Sequence, residues 1–248
     1  MINVLYAIST LANVGPVNQV YNIVKNIDRN EFGISILTLS AEPTNSRYKD
    51  FQNLGIEIFS LNIPRKRFIE YKTDFRKKIE NIGPDIVHSN CFRSDYFNAA
   101  LRNEDMAVTL STVHCDCSTD FVLNYGVFVG RLLARLEIAS LKAIQNRVSC
   151  SFTIREILKT KYGIESFAIQ NSADEDKFMP SIYPKSVYRS KLGLPQNSMI
   201  YVYVGSIIKR KNVGFLVDVF NKLDDKFNLL IIGDGNQRKE LEKIARKN

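Results

Sequence analysis

Both histidines of the chain, His88 and His114, lie where an apolar stretch of the sequence ends. The stretches 85–89 and 107–114 are predicted strands, and parallel strands of one sheet end at the same edge. We therefore expect the two imidazole groups to face one crevice. For His88 a buried, hydrogen-bonded position is favoured. His114 precedes a polar loop, and a role in binding or polarising a substrate is as well supported there as a structural one.

Three cysteines, Cys91, Cys115 and Cys117, lie a few residues after these histidines, and a zinc site with mixed ligands is conceivable. Their spacing matches no standard zinc motif, so we expect no metal. A chain of 248 residues can bury a full hydrophobic core and does not need disulfides. These cysteines and Cys150 are therefore expected to be free thiols in a reducing compartment.

The first apolar stretch ends in a loop over 9–16 that leads into a predicted helix. Asn13 and Gly15 lie in this loop, and Pro16 suits the first helical turn. In an open α/β sheet this is a common place for ligands, because free backbone N–H groups point into the crevice. The loop has neither a GxGxxG nor a GxxxxGK pattern, so a tight structural turn and a ligand-binding loop both remain open.

Three consecutive cations follow the predicted strand that ends at Gly205. Lys209, Arg210 and Lys211 precede a predicted helix, where positive charge opposes the helix dipole. A bound anion, most naturally a diphosphate, explains them better than helix stability does, although solvated cations are common on loops. A second glycine turn, at 231–235, ends the next strand and by itself indicates only a turn.

The stretches around these residues predict strands that alternate with helices. Short apolar runs of this kind suit strands buried on both faces, and helical periods such as 17–27 lie between them. The alternation predicts an α/β fold with a parallel, doubly wound sheet. The strands predicted for the first domain are 2–8, 33–39, 56–61, 85–89, 107–114, 148–150 and 167–169.

The pattern loosens after Asn171 and then restarts. Residues 172–184 show no clear period, which predicts a linker between a first domain over 1–171 and a second over 185–248. The second domain has only the predicted strands 199–205 and 227–233, and it ends in a charged helix over 237–247. Because two parallel strands cannot bury both faces, we expect this domain to be incomplete.

The charge balance favours anionic partners. The chain carries 34 Lys and Arg against 26 Asp and Glu, a net charge of +8. It has no apolar run long enough to span a membrane and no start typical of a signal peptide, so a cytoplasmic protein is expected. No DNA- or RNA-binding motif occurs, and nucleic acid is not expected as a partner.

Two basic stretches are most simply solvated helix faces but could also bind anionic lipid at the inner face of the cell membrane. The first, 61–80, interleaves cations with the aromatic residues Phe68, Tyr71 and Phe75. The second is a predicted helix over 125–145 with the cations Arg131, Arg135 and Lys142.

Taken in order, the motifs along the whole chain resemble the family 4 glycosyltransferases. Residues 9–20 resemble the family's N-terminal glycine loop, 84–89 its PDIVHSH strand, and 112–114 its T-x-H strand end. Residues 168–174 are similar to the IPNGVD crossing between domains, which implies that Asn171 is a hinge. Residues 205–212 resemble VGRLVxxKN, and 230–235 resemble IVGDG.

The resemblance implies a GT-B fold, which has two Rossmann-like domains around a cleft. It implies that the residue matching Lys211 binds the donor diphosphate beside Gly205. The family's second cation is Ser206 here, so Lys209 or Arg210 would substitute. His114 is implied as the catalytic residue, with Asn13, Gly15 and Pro16 forming the acceptor and donor loop. The family's E-x7-E segment would lie beyond Asn248, so the sequence resembles a C-terminally truncated member.

The function so implied is a retaining, metal-independent hexosyltransferase with a nucleotide-sugar as substrate and no cofactor. The sugar would go to a lipid-linked or saccharide acceptor in polysaccharide or glycan biosynthesis. An alternative is an inactive truncated fragment, or one subunit of a split transferase whose C-terminal half acts in trans. A basic regulatory or RNA-binding protein on a Rossmann-like scaffold is a third interpretation, since a fold does not determine function.

Overall fold

A computed structural model of the chain describes residues 1–65, 67–102, 106–175 and 177–245. The chain forms two compact units, Met1–Glu175 and Asp176–Asn248. Strands and helices alternate in both, which confirms the α/β class. The domain limits derived from the sequence remain a prediction.

A parallel sheet of seven strands forms the centre of the first unit. Its strands are β1 (Ile2–Ile8), β2 (Phe32–Thr38), β3 (Glu57–Ser60), β4 (Ile86–Asn90), β5 (Val108–Val113), β6 (Asn146–Ser149) and β7 (Phe167–Ala168). All seven predicted strands are present, with bounds that differ by a few residues. The strand order is β3-β2-β1-β4-β5-β6-β7, so the direction of winding reverses between β1 and β4. A crevice for ligands is typical of this switch point.

Helices lie between the strands of this unit. They are α1 (Gly15–Asn26), α2 (Tyr48–Asn53), α3 (Lys72–Ile82), α4 (Phe92–Asn98), α5 (Cys117–Tyr125), α6 (Val127–Ala143) and α7 (Phe152–Tyr162). The helix predicted over 125–145 is shorter than expected. It begins only at Val127, because Gly126 has a φ of 80° that separates α5 from α6, and it ends where Ile144 becomes extended.

The two faces of the sheet carry separate hydrophobic clusters. Alternate residues of β1 point to opposite faces, so Leu5 joins one cluster and Val4 and Tyr6 join the other. Two of the three aromatic residues named for the basic stretch 61–80 cannot contact lipid, the alternative left open for that stretch. Phe68 is 7% exposed and Phe75 is 1% exposed, because both pack into the first cluster under the sheet.

The second unit contains α8 (Lys185–Lys191), β8 (Met199–Val204), α9 (Val213–Phe220), β9 (Phe227–Ile232) and α10 (Arg238–Ala245). The two strands pair in parallel, and Ile207, Val213, Val217 and Leu241 form a small core beside them. Several apolar side chains of the strands remain exposed, among them Tyr201, Val202 and Val204. The last residues of the helix predicted over 237–247 lie outside the described residues.

Candidate functional site

The two histidines lie on neighbouring strands near the switch point: His88 is buried in β4, and His114 directly follows β5 and lines the cleft described below. His88 Nε2 is 2.8 Å from Thr112 Oγ1, and its ring packs on Tyr6 with centroids 4.8 Å apart. Burial, and next the neighbouring His114, lower the pKa of His88 to about 3. His88 is therefore a neutral, hydrogen-bonded core residue, which agrees with the interpretation favoured from the sequence.

His114 follows β5 and reaches toward the end of β4. Its Nε2 lies 3.1 Å from Asn90 Oδ1, and with the Asn90 amide in this orientation Nε2 is the donor, because an amide oxygen only accepts hydrogen bonds. Burial lowers the pKa of His114 to about 4. Near neutral pH the ring is uncharged, and its Nδ1 is available as an acceptor. The arrangement can orient a hydroxyl group or take up a proton.

The loop before α1 leaves its backbone open. Asn13 and Gly15 are exposed and Pro16 is in the first helical turn, where the sequence places it. A Cβ atom at Gly15 would meet nothing within 4 Å, and the cap residue Val14 provides no side-chain hydrogen bond to the helix. The opposite side of the loop is fixed, because Leu11 N donates to Glu42 Oε2 at 2.9 Å. This is a rigid turn with an accessible helix start.

A cleft of about 540 Å³ opens beside His114. Its lining includes Arg65, Arg93, Asp95 and Glu137 as well as the aromatic residues Phe92, Phe121 and Tyr125. Arg93 Nη1 donates to Ser40 Oγ at 3.0 Å, and the guanidinium lies 5.4 Å from the centre of the Phe68 ring. The cleft therefore combines charged groups with an aromatic wall.

Two buried carboxyl groups meet at this cleft. Asp95 on α4 and Glu137 on α6 are both buried, and Ser89 Oγ donates to Asp95 Oδ1 at 2.6 Å. Burial raises the pKa of Asp95 to about 6, and burial followed by the charge of Asp95 raises the pKa of Glu137 well above its ordinary value. Within the described residues, Asp95 Oδ2 and Glu137 Oε2 are buried without a hydrogen-bond donor. One proton shared between the two groups would satisfy both oxygens.

Sequence reasoning missed Arg93, Asp95 and Glu137. The signal was present for two of them, since Arg93 and Asp95 follow the His88 strand directly and begin α4 at the same sheet edge. Glu137 could have been noticed as a charged residue on the apolar side of a helix, between Ala134 and Leu141.

All four cysteines are free thiols. Cys91 is the first residue after β4 and has a φ of 74°, which is uncommon for a residue other than glycine. Cys150 Sγ lies 3.6 Å from the carbonyl oxygen of His114. Among the described residues, no group of three or more His, Cys, Asp and Glu side chains is placed to hold a metal ion.

The cations of the second unit lie on a turn between β8 and α9. Gly205 directly follows β8, and Lys209–Lys211 form one 3-10 turn before the helix. The side chains of Lys209, Arg210 and Lys211 are exposed. Their positive charge is thus placed at the start of α9 and at the carboxyl end of a parallel strand.

The glycine turn at 231–235 packs directly against this loop, which the sequence did not indicate. A Cβ atom at Gly233 would lie 1.9 Å from Gly205 O, and one at Gly235 would lie 2.2 Å from Ile207 O. Ile207 N also donates to Asp234 O at 2.8 Å. Glycine is required at both positions because the two backbones touch.

Asn171 is exposed, and the residue after it is held by α1. Gln19 Nε2 donates to Ser172 O at 2.9 Å, and Ser172 N donates to Gln19 Oε1 at 3.0 Å. Lys25 Nζ forms an ion pair with Asp174 Oδ1 at 3.7 Å. The role of Asn171 as a hinge stays a prediction.

Comparisons with known proteins agree with this architecture. Residues 15–177 match the family described as Glycosyltransferase Family 4, and residues 184–248 match Glycosyl transferases group 1. The fold is of the GT-B class, because the chain superimposes on the solved glycosyltransferase structures given below. The chain belongs to Glycosyltransferase Family 4.

Among similar proteins is the alpha-monoglucosyldiacylglycerol synthase of Acholeplasma laidlawii, 21% identical over 93% of this chain. This chain spans 62% of the length of that relative. Sucrose-phosphate synthase from Thermosynechococcus elongatus has a TM-score of 0.79 and 17% identity, over 99% of this chain and 67% of that one. Anabaena HepE in complex with UDP and glucose has a TM-score of 0.78 and 14% identity, over 100% of this chain and 66% of that one.

Proposed function

We propose that the protein transfers a hexose from a nucleotide-sugar to a lipid-linked or saccharide acceptor, with retention of configuration. The observation that carries this proposal is the pair of packed turns in the second unit. Gly233 and Gly235 pack there on the backbone of Gly205 and Ile207, and the same loop continues into the exposed cations Lys209–Lys211. Such a surface suits a diphosphate, which needs close backbone approach and positive charge.

In this proposal the three cations stabilise the leaving group, which is the nucleoside diphosphate. When the bond between sugar and diphosphate breaks, negative charge grows on the phosphoryl oxygens. Lys209, Arg210 and Lys211 would offset that charge without a metal ion. UDP is the nucleotide we propose for testing, because the similar HepE structure contains UDP and glucose.

We place the acceptor in the first unit, beside His114 and the loop that contains Asn13, Gly15 and Pro16. A neutral imidazole with a fixed Nε2 proton can orient an acceptor hydroxyl through Nδ1. The open Cβ position at Gly15 leaves room for a ligand against the backbone. The synthesis of a glucosylated diacylglycerol by the Acholeplasma relative supports a lipid acceptor.

A titration of UDP into the full chain, followed by calorimetry, tests the donor site. Removing one charge-assisted contact typically weakens binding by about ten- to a hundredfold, and we expect this for Lys211→Ala. Lys222→Ala, which removes an exposed lysine of the same unit, should bind UDP as the unchanged protein does. Equal affinity for UDP in the Lys211 and Lys222 variants would contradict the assignment.

The protein is further proposed to act at an anionic membrane surface. The outer face of α6 presents Phe128, which is 90% exposed, and Leu132 next to the exposed Arg131 and Arg135. Apolar groups flanked by cations are typical of helices that lie in the headgroup region. No helix in the described part of the chain is long and apolar enough to cross a bilayer.

A second candidate function is one half of a split transferase, without catalysis of its own. The exposed apolar side chains of β8 and β9, including Val204 at 72%, favour it because a further polypeptide could cover them. Release of UDP from UDP-glucose by the chain alone, at more than a trace rate, would exclude this candidate. Release that requires a second polypeptide would support it.

A further inference from the structure

The guanidinium of Arg93 has N–H groups for which the described part of the protein provides no hydrogen-bond acceptor. Nη1 is bound to Ser40 Oγ at 3.0 Å, but Nε and Nη2 are buried without a hydrogen-bond partner. Leaving the donors of a charged group buried and unpaired is costly. An acceptor supplied by a ligand would remove that cost.

The guanidinium of Arg65 adds a second positive charge beside Arg93, which makes a bound anion more favourable. Arg65 lines the same cleft, and burial followed by the neighbouring charge of Arg65 lowers the pKa of Arg93. Arg93 also packs against Phe68, a core residue, so its guanidinium cannot easily turn away. Two like charges held close together are unfavourable unless a negative group lies between them.

The rest of the cleft indicates what the anion is attached to. Phe92, Phe121 and Tyr125 line it together with the arginines, and His114 lies in the same cleft. The carboxyl groups of Asp95 and Glu137 also face it, but burial raises the pKa of both, which reduces their repulsion of an anion. An anion joined to an apolar group fits this combination.

We propose that Arg65 and Arg93 bind a phosphate group of the acceptor, and that the aromatic wall takes an apolar part of the same molecule. The planar donors of arginine match the oxygens of a phosphate, which two such side chains can hold from two sides. This inference rests on the proposed function and narrows the acceptor to an organic phosphate. The phosphate could belong to a lipid headgroup or to a soluble phosphate ester.

Calorimetric titration of hexyl phosphate into the full chain, with UDP in excess, tests the site. We expect saturable binding that is weakened about ten- to a hundredfold in Arg65→Ala and Arg93→Lys. Arg155→Ala is the matched control, because Arg155 is an exposed arginine of the same unit outside the cleft. Arg65 is also exposed, so its variant should fold even if the half-buried Arg93 position tolerates change poorly.

Vesicles of phosphatidylglycerol and of phosphatidylcholine, and inorganic phosphate, separate the two sources. Vesicle binding that depends on Arg93 supports a lipid headgroup, and binding of the soluble phosphates alone supports a phosphate ester. Hexyl phosphate binding that is absent, or equal in all variants, would overturn the phosphate site. If UDP still binds in that case, the proposed function stands; loss of UDP binding in the unchanged protein would count against the function instead.

Discussion

At the scale of single residues, the Asp95–Glu137 pair makes stability depend on pH. Burial raises the pKa of Asp95 to about 6 and that of Glu137 well above its ordinary value, so the folded protein holds protons that the unfolded chain releases. Because the pKa values are raised, the contribution of the pair to the free energy of unfolding is fully present below about pH 4, the pKa of these groups in the unfolded chain. It is lost as the pH rises through about 6 and above.

We therefore predict that Glu137→Gln flattens the loss of stability with rising pH. Between about pH 4 and 6, each proton that the folded protein holds and the unfolded chain releases lowers the free energy of unfolding by up to about 1.4 kcal/mol per pH unit, and the variant removes one titrating group. Urea unfolding at several pH values measures the slope. Glu156→Gln changes an exposed carboxylate on α7 and should keep the slope of the unchanged protein. Identical slopes for all three proteins would refute the shared-proton arrangement.

These residues also mark the limit of what sequence can predict. His88 and His114 were found because strand ends are visible as the ends of apolar runs. Arg93, Asp95 and Glu137 are residue types that are usually on the surface, and the burial of Asp95 and Glu137 results from the packing of α4 against α6. Only the three-dimensional arrangement brings residues 95 and 137 together.

At the scale of elements, the two loops that contain glycine differ in why glycine is there. Gly15 has open space around its missing Cβ, whereas a Cβ at Gly233 would lie 1.9 Å from Gly205 O. The first glycine is available to a ligand, and the second is required by packing.

We predict opposite effects for alanine at these positions. Gly15→Ala should leave the free energy of unfolding within about 0.5 kcal/mol of its original value, as surface changes do, but weaken ligand binding at the loop. Gly233→Ala should destabilise the second unit by roughly 1–3 kcal/mol, because two backbone segments must separate. Hydrogen exchange of the β8 and β9 amides measures the second effect. Unchanged protection in Gly233→Ala would contradict the packing argument.

The strands of the first unit could be predicted from the sequence, but the start of α6 could not, because an apolar pattern reports burial and not backbone angles. Strands buried on both faces are continuous apolar runs, so all seven of the first unit could be identified. The break between α5 and α6 falls at Gly126 inside a stretch that keeps a helical period, and periodicity does not report a positive φ.

At the scale of the whole molecule, the net charge of +8 favours an anionic partner but does not say which surface would bind it. The exposed face of α6 is the surface that we consider for this role. Phe128, Arg131 and Arg135 share that face, whereas Phe68 and Phe75 of the other basic stretch, 61–80, lie in the core. Composition predicts an anionic partner, and burial leaves the exposed face of α6 as the surface that we propose for it.

We predict that the full chain binds phosphatidylglycerol vesicles and not phosphatidylcholine vesicles. Arg131→Glu should weaken this binding about thirtyfold, because each cation near an anionic surface contributes about 1 kcal/mol and the change reverses its sign, a difference of about 2 kcal/mol. Vesicle flotation at increasing salt measures it, with Arg155→Glu as control. Binding that salt does not weaken would remove the electrostatic part of the proposal.

The hydrogen bonds between Gln19 and Ser172 have a mechanical consequence. The same helix, α1, begins at the loop of Gly15 and holds the backbone that leaves the first unit at Ser172, with Lys25 holding Asp174 one turn and a half further along. A ligand that displaced the start of α1 would thus push directly on residues 172–174. The contacts of α1 therefore connect the candidate ligand loop physically with residues 172–174.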